Sequence, residues 1–206
     1  MPRSKSSRRW LNEHFDDPYV KKAQAEGYRS RAVYKLKEID EKEHLLRPGM
    51  SVVDLGAAPG GWTQYVSQKI GKTGDIFALD ILPMDDLPGV IQITGDFCEQ
   101  QVLDKLNEYI PEGGVDLVLS DMAPNMSGNA AIDIPKAMNL AELAFEFSDH
   151  TLKPGGALLM KVFHGEGFDE LLIQARKQFK KVVIRKPSAS RSRSRETYML
   201  AKDYNL

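Results

Sequence analysis

The sequence predicts an α/β fold in which helices cover both faces of a mostly parallel sheet. Short apolar runs alternate with segments of helical spacing along most of the chain, and this alternation is typical of βαβ units. The segment 51–64 passes from an apolar run through a glycine-rich turn into a helical pattern. The last two apolar runs are joined without an obvious helix, so we expect one antiparallel edge strand.

Seven apolar runs have the length and composition of strands. Most of them are rich in valine, isoleucine and leucine, and glycine, proline or aspartate follows several of them, as expected where a strand ends in a turn. The predicted strands are 51–55, 76–80, 90–94, 115–120, 157–163, 182–185 and 197–201.

Five segments with helical spacing lie before and between these strands. The predicted helices are 31–44, 63–70, 99–110, 133–150 and 168–179. We expect Ser30 to cap the first helix and Asp133 to cap the fourth, because both side chains can accept from free N–H groups of a first helical turn. Pro135 lies near the start of the fourth helix, where proline is tolerated. Residues 153–156 (KPGG) are predicted as a turn before the fifth strand.

The length and composition indicate one domain with a short extension. A chain of 206 residues with 42% hydrophobic residues can bury a single core. We assign 1–30 to a basic N-terminal arm and 31–206 to a single domain. No apolar run approaches the roughly 18 residues of a membrane span, and no apolar region of a secretory signal follows the basic N-terminus. The single cysteine, Cys98, fits a reducing cytoplasm.

The glycine turn is the first candidate binding site. Glycines let a ligand approach the backbone, and the helix that follows points free N–H groups at the same place. A dinucleotide fingerprint is not met because Ala57 and Ala58 follow Gly56, so the second glycine is missing. A P-loop is not met because Trp62 occupies the position of the phosphate-binding lysine. The turn therefore suits a ligand without a phosphate chain, although a purely structural turn would have the same pattern.

Three aspartates follow predicted strands and should share one edge of the sheet. They are Asp80, Asp96 and Asp121. Asp80, at the end of the second strand, is placed to accept hydrogen bonds from ribose hydroxyls, and Asp96 suits the exocyclic amine of a purine. Each aspartate alone is more simply a turn residue. Together they favour an adenosine-containing, positively charged ligand, which points to S-adenosylmethionine (SAM).

Lys161 lies within an apolar run, ALLMKVF, at the same edge. Burying a lysine costs free energy unless it is paired. In a purely structural interpretation, Lys161 therefore forms an ion pair with Asp121. In a functional interpretation, a desolvated lysine can lose its proton near neutral pH and act as a base. The four histidines are scattered along the chain, and no metal site is predicted.

Positive charge is concentrated near the two ends of the chain. Residues 1–37 hold ten Lys and Arg against four Asp and Glu, and residues 176–195 hold nine Lys and Arg and no acidic residue. Arginine alternates with serine in the second segment, and aromatic residues lie near both segments. This pattern favours a nucleic acid as partner, through phosphate contacts and stacking, although solvated charge runs are common in any protein.

Four motifs resemble the FtsJ/RrmJ family of 2′-O-ribose methyltransferases. They are DLGAAPGGW, SDMAPN, MKVF and SRSRE, in that order, and the resemblance extends over residues 21–202. It implies a seven-stranded, Rossmann-like, SAM-dependent methyltransferase fold. It also implies a catalytic tetrad of Lys35, Asp121, Lys161 and Glu196, with Lys161 as the general base toward the ribose 2′-hydroxyl. The implied SAM contacts are Gly60, Trp62, Asp80, Asp96 and Asp121.

The same resemblance implies a uridine of 23S rRNA as the target, modified on the assembled 50S subunit. The sequence leaves the oligomeric state open, and we expect a monomer because nothing in it suggests a larger assembly. We expect arginines of the two basic segments to contact RNA phosphates. They are Arg3, Arg8, Arg9, Arg29, Arg31, Arg185, Arg191, Arg193 and Arg195.

Several alternatives remain open on sequence grounds. The enzyme could act on another RNA such as tRNA, or the chain could be a non-catalytic RNA-binding module. Base-amine methylation is disfavoured because the loop after Asp121 carries no aromatic residue, and carbon-5 methylation because Cys98 lies near Asp96, away from the expected catalytic place. A nicotinamide-dependent oxidoreductase is disfavoured by the missing second glycine.

Overall fold

The computed structural model describes residues 17–191 and 194–205. Within these residues the chain forms a seven-stranded sheet with the strand order β3-β2-β1-β4-β5-β7-β6. The strands are β1 Ser51–Leu55, β2 Asp75–Asp80, β3 Val90–Thr94, β4 Val115–Ser120, β5 Leu152–Phe163, β6 Phe179–Arg185 and β7 Glu196–Tyr204. The helices are α1 Pro18–Ala25, α2 Val33–Glu43, α3 Gly61–Ile70, α4 Gln100–Asn107, α5 Ala130–Thr151 and α6 Phe168–Gln178, with a short 3₁₀ turn at Gly71–Thr73.

The sheet is parallel from β3 to β5 and reverses direction at β7. Strand β7 pairs antiparallel with both β5 and β6, while the pairs among β1 to β5 are parallel. The predicted seven-stranded, mostly parallel sheet is therefore confirmed. The reversal lies at the expected end of the sheet, but β7 is one position in from the edge, because β6 pairs along its outer side.

Two hydrophobic cores lie on the two faces of the sheet. Neighbouring residues of one strand enter different cores, as Val52 and Val53 of β1 do, because side chains alternate across a strand. One core contains residues of α1, α2 and α3, and the other contains residues of α4, α5 and α6. Both faces are covered, and β1, β2 and β4 are accordingly buried along most of their length.

Helix α1 was not predicted from the sequence. Asp17 accepts from the backbone N–H of Tyr19, and Pro18 occupies the first turn, where its missing N–H costs nothing. Val20 and Ala23 are buried, so residues 17–25 pack against the domain. The lysine-rich composition of this segment concealed the two buried positions. Residues 1–16 of the predicted arm lie outside the described residues, and the domain boundary at residue 30 stays a prediction.

Both predicted helix caps are wrong. The first helix begins later than expected, at Val33, and Ala32 occupies its cap position. Ser30 instead lies against Gly61 at the start of α3. The fourth predicted helix begins earlier than expected and is capped by Asn129, whose side chain accepts from the N–H of Ala131. Asn129 and Asp133 are both good capping residues, so residue type did not distinguish them, and Ala32 makes no side-chain cap, so no capping residue marks the start of α2.

The predicted turn at residues 153–156 is also wrong, because these residues lie within β5. The pairing of β4 with β5 shifts register there, with Val115 opposite Leu152 and Leu117 opposite Ala157. Glycine and proline in a strand often mark such an irregularity. The strand thus begins before its apolar run and bulges at the proline–glycine segment.

Candidate active site

The glycine turn joins the ends of three neighbouring strands. The N–H groups of Gly56 and Ala57 donate to the carbonyl of Leu79 in β2, and the N–H of Asp121 donates to the carbonyl of Leu55 in β1. Gly56 has φ +77°, and a Cβ there would lie 2.9 Å from the backbone nitrogen of Met122. Only glycine therefore allows β1 and the loop after β4 to approach this closely.

Gly60 and Trp62 form the entrance to α3. Gly60 has φ +100° and directly precedes the first residue of the helix, so the free N–H groups of the first turn begin at this point. The Trp62 ring is buried, and its indole N–H donates to the carbonyl of Ala32 at 2.8 Å. Its centroid lies 5.8 Å from that of Tyr198. Trp62 thus connects the turn with the interior beneath the site.

Asp80 and Asp96 lie at the ends of β2 and β3, and both hold turns. One carboxylate oxygen of Asp80 accepts from Ala58 N at 2.9 Å, and the other accepts from Leu82 N at 2.8 Å. Asp96 accepts from Cys98 N at 2.9 Å. A carboxylate oxygen has further acceptor capacity, so these turn contacts leave room for the ligand contacts predicted from sequence, which remain predictions.

Asp121 and Lys161 form a largely buried ion pair at the same edge. Lys161 Nζ lies 2.9 Å from Asp121 Oδ1 and donates to the Asp121 carbonyl at 2.6 Å. The side chain of Lys161 is only 7% exposed. The register explains the pairing, because Ser120 of β4 lies opposite Met160 of β5 and the two strands run parallel. The ion pair expected from the sequence is confirmed, and it places the Lys161 amine at the carboxyl edge of the sheet.

The charge state of Asp121 is set by its neighbours. Burial alone would raise the pKa of the Asp121 carboxyl, but the charges of Lys161 and Lys35 and the hydrogen bond from Tyr198 together hold this pKa below its ordinary value. Asp121 is therefore a carboxylate at neutral pH, and it can orient the Lys161 amine.

Lys35 and Glu196 form a second ion pair beside the first. Lys35 Nζ on α2 lies 2.9 Å from Glu196 Oε1 at the start of β7, and both side chains are mostly buried. On the β5–β7 ladder, Phe163 lies opposite Glu196 and Lys161 lies opposite Tyr198. Because residues two apart in a strand share a face, Lys161, Tyr198 and Glu196 point to the same side of the sheet. The four residues of the implied tetrad are thus close together in the fold.

Tyr198 connects the two ion pairs and was missed by the sequence analysis. Its hydroxyl donates to Asp121 Oδ1 at 2.6 Å, and Lys35 Nζ lies 5.6 Å from its ring centroid. Burial, followed by the negative charge of Asp121, raises the pKa of Tyr198 well above its ordinary value, so the hydroxyl remains a donor. The sequence signal was available in part, since Tyr198 lies two residues from Glu196 on one strand.

Asp54 of β1 is a second residue that the sequence analysis missed. It is fully buried, and one carboxyl oxygen accepts from Thr63 Oγ at 2.6 Å. The other oxygen has no hydrogen-bond partner within the described part of the chain. Burial, with smaller contributions from Asp121 and Asp80, raises the pKa of Asp54 to about 7. An acidic group with this pKa lies directly below the glycine turn, and a short strand pattern such as SVVDL gives no sign of it.

The predicted RNA-binding arginines differ in their surroundings. Arg29 donates to backbone carbonyls of two loops, Arg31 contacts the carbonyl of Ala189, and Arg185 pairs with Glu43. Arg191 and Arg195 lie in the described parts of the Arg/Ser segment, and Arg195 is exposed. The remaining predicted arginines lie outside the described residues; they are Arg3, Arg8, Arg9 and Arg193.

The described residues offer neither a metal site nor a membrane-spanning helix. In the ranges 17–191 and 194–205, no group of three or more histidine, cysteine, aspartate or glutamate side chains is placed to hold a metal ion. None of the helices in these ranges is both long enough and apolar enough to cross a membrane.

Known proteins match the chain over most or all of its length. The model of the family described as FtsJ-like methyltransferase matches residues 28–204. The ribosomal RNA large subunit methyltransferase E of Legionella pneumophila (strain Corby) is 71% identical over 206 residues, which is 100% of both chains. The protein with the same name from Pseudomonas paraeruginosa (strain DSM 24068 / PA7) is 60% identical over 204 residues, 99% of both chains.

A solved structure also matches. The crystal structure of a Plasmodium falciparum protein described as a ribosomal RNA methyltransferase superposes with a TM-score of 0.77 at 29% sequence identity. The match covers 86% of the present chain and 98% of that chain. The observed sheet and its helices are therefore a known arrangement.

Proposed function

The chain belongs to the FtsJ-like methyltransferase family, and from this premise we propose that it transfers a methyl group from SAM to the 2′-oxygen of a uridine ribose in 23S rRNA. The assembled 50S subunit is the proposed substrate, and the enzyme acts as a monomer in the cytoplasm. The observation that supports this reaction best is the buried Lys161–Asp121 pair at the carboxyl edge of the sheet, 2.9 Å between Nζ and Oδ1. This places an amine and a carboxylate where α/β sheets bind their ligands.

The residues at this edge fit SAM. The backbone at Gly60 and Trp62, and the carboxylates of Asp80, Asp96 and Asp121, would hold the cofactor. Gly56 lets the loop after β4 pack closely on the turn, which brings Asp121 next to it, and the sequence of the turn offers no lysine that would repel a cation. When bound, SAM supplies a methyl group attached to a positively charged sulfur.

Lys161 is proposed to accept the proton of the 2′-hydroxyl as the oxygen bonds to the methyl carbon, while the carbon–sulfur bond would break and the sulfur would keep the electron pair, with S-adenosylhomocysteine as the leaving group. A hydroxyl is a weak nucleophile, and a positioned base typically contributes roughly 10² to 10⁴ in rate. The contacts of the amine with the side chain and the carbonyl of Asp121 fix its position. Holding the reacting atoms in line contributes further, because it removes the entropic cost of an encounter.

The other members of the tetrad are proposed to position Lys161 and the ribose. Asp121 contacts the Lys161 amine directly, and Tyr198 donates to the same carboxylate oxygen. The Lys35–Glu196 pair lies beside Tyr198 and offers both a donor and an acceptor for ribose hydroxyls. Because Asp121 has a lowered pKa, its carboxylate keeps this role across the neutral range.

A labelling experiment tests the proposed reaction. Undermodified 50S subunits and, in a separate reaction, tRNA are incubated with the protein and SAM carrying a labelled methyl group, and each RNA is then digested and analysed by mass spectrometry. Label on the ribose 2′-oxygen of one uridine is the expected result. Label on a base would contradict the Lys161 mechanism, and label only on tRNA would contradict the proposed substrate.

RNA binding is expected to weaken steeply as salt is added. Each phosphate neutralised by a basic side chain contributes roughly 0.7 to 0.9 to the slope of log affinity against log salt concentration. Arg195 is exposed in the described part of the Arg/Ser segment, so Arg195→Ala should make this slope shallower by about one unit. Filter binding at several salt concentrations measures the slope.

Lys153→Ala provides the matched control for the salt experiment. Lys153 pairs with Asp116 near the start of β5, at the amino edge of the parallel strands and away from the proposed site. Its replacement should leave the slope unchanged. A salt-independent affinity of the unaltered protein would remove the electrostatic basis of the proposed RNA contacts.

A further inference from the structure

We propose that Arg29 is a positioning residue of the cofactor site and that it holds the groove for the adenosine of SAM. Its guanidinium group connects the glycine turn after β1 with the loop after β2. The inference deepens the proposed function and rests on it, since the groove must bind SAM. It gives Arg29 a role different from the RNA contact expected from the charge pattern.

The side chain of Arg29 contacts backbone carbonyls on two loops. Nη1 donates to Asp85 O at 2.7 Å and more weakly to Pro59 O at 3.4 Å, while Nη2 donates to Asp86 O at 2.9 Å. Pro59 belongs to the glycine turn, and Asp85 and Asp86 belong to the loop between β2 and β3. One guanidinium therefore connects two loops at the carboxyl edge, which its planar fork of donors allows.

The backbone around Arg29 is held on the helix that follows the glycine turn. Gln64 of α3 accepts from the N–H of Arg29 at 3.1 Å and donates to the carbonyl of Gly27 at 2.9 Å. Ser30 packs so closely on Gly61 that a Cβ there would lie 2.3 Å from its hydroxyl oxygen. Arg29 is thus anchored at its backbone as well as at its guanidinium.

The glycine turn has the shape that this contact needs. A Cβ on Gly60 would lie 2.8 Å from Arg29 Nη1, so a side chain at that position would displace the guanidinium. The same glycine precedes the first turn of α3. The absence of a side chain at Gly60 therefore makes room for the Arg29 guanidinium beside the glycine turn.

The two connected loops are the walls of the proposed adenosine groove. The loop 81–89 begins directly after Asp80, whose carboxylate is predicted to bind ribose, and Asp80 also accepts from Ala58 in the glycine turn. Asp85 O accepts a further hydrogen bond from Gln92 of β3 at 3.3 Å. Holding this loop in one arrangement before SAM binds reduces the ordering cost of binding.

The test measures SAM binding and RNA binding separately in Arg29→Ala and Arg29→Lys. Calorimetric titration with SAM, and with its product S-adenosylhomocysteine, should show roughly tenfold weaker binding for Arg29→Ala, because charged hydrogen bonds to two loops are lost. Arg29→Lys should recover part of the affinity, since an ammonium group keeps the charge but lacks the fork. Turnover at saturating SAM should stay near the original value, with the loss confined to the KM for SAM.

RNA affinity and its salt slope should be unchanged in both Arg29 variants. Arg195→Ala is the matched control, with a reduced salt slope and unchanged SAM binding. Unchanged SAM affinity in Arg29→Ala, with or without weaker RNA binding, would overturn the inference. If Arg29→Ala does not fold by circular dichroism, Arg29→Lys decides, and unaltered SAM affinity in that variant overturns the inference. Absence of SAM binding by the unaltered protein would instead overturn the proposed function.

Discussion

Replacing Lys161 by alanine is expected to abolish methyl transfer while leaving SAM affinity nearly unchanged. The amine is the proposed acceptor of the 2′-hydroxyl proton, and loss of such a base typically lowers the rate by roughly 10² to 10⁴. The proposed SAM contacts lie on other residues, on the glycine turn and on the carboxylates at the strand ends. Single-turnover kinetics with labelled SAM would measure the rate, and calorimetric titration would measure cofactor affinity.

Two further variants test whether Lys161 is needed as a proton acceptor or only for its positive charge. Lys161→Arg keeps a cation beside Asp121 but offers no group that accepts a proton near neutral pH, so it should be as inactive as Lys161→Ala. Lys153→Ala, at the amino ends of the parallel strands and away from the proposed site, should be fully active. Near-normal turnover of Lys161→Ala would refute the assignment of the base, and recovery of turnover in Lys161→Arg would show that the positive charge alone is required.

The second large effect is expected on stability. Asp54→Asn should become more stable relative to the unaltered protein as the pH rises. Burial raises the pKa of Asp54 in the folded protein from an ordinary value of 3.8 to about 7. Between these values the folded state holds a proton that the unfolded state has lost, so the free energy of unfolding falls as pH rises through this range. Asparagine removes this titration and can still accept from Thr63.

The expected difference is about 3 kcal/mol between about pH 5 and about pH 8, because the pKa of Asp54 rises from 3.8 in the unfolded chain to about 7 in the folded protein and each pKa unit corresponds to about 1.36 kcal/mol. Urea unfolding of both proteins at several pH values measures it. Thr63→Val supplies a variant with the opposite effect, because the Thr63 hydrogen bond lowers the pKa of Asp54, and its stability loss toward high pH should be larger. Parallel pH curves for Asp54→Asn and the unaltered protein would contradict the prediction.

The positions of the strands could be predicted because each is a short apolar run followed by residues that end it. The prediction of 90–94 and 115–120 agrees with β3 and β4 as observed. Strand β5 was predicted too short, because its first residues contain a proline and two glycines that bulge from the ladder. Helix α1 was not predicted, because only two of its eight residues are buried.

Some residues of the candidate site could also be predicted from their own segment of the chain, and others could not. Asp121 and Lys161 could be placed at one edge from the strand pattern, since each follows or ends an apolar run in a parallel sheet. Lys35 and Glu196 could be named only through the family resemblance, because each reads as an exposed charge in its own segment. Their 2.9 Å contact depends on the packing of α2 against the β5–β7 ladder.

The fold class, the glycine turn and the carboxylates at the strand ends could be predicted because they follow from residues that are near one another in the chain. The hydrogen bond from Tyr198 to Asp121, the complete burial of Asp54 and the connection of two loops by Arg29 became visible only in the folded protein. Each of these depends on which distant segments touch. Hydrogen-bond partners and desolvation, which set pKa values and side-chain positions, are properties of those contacts.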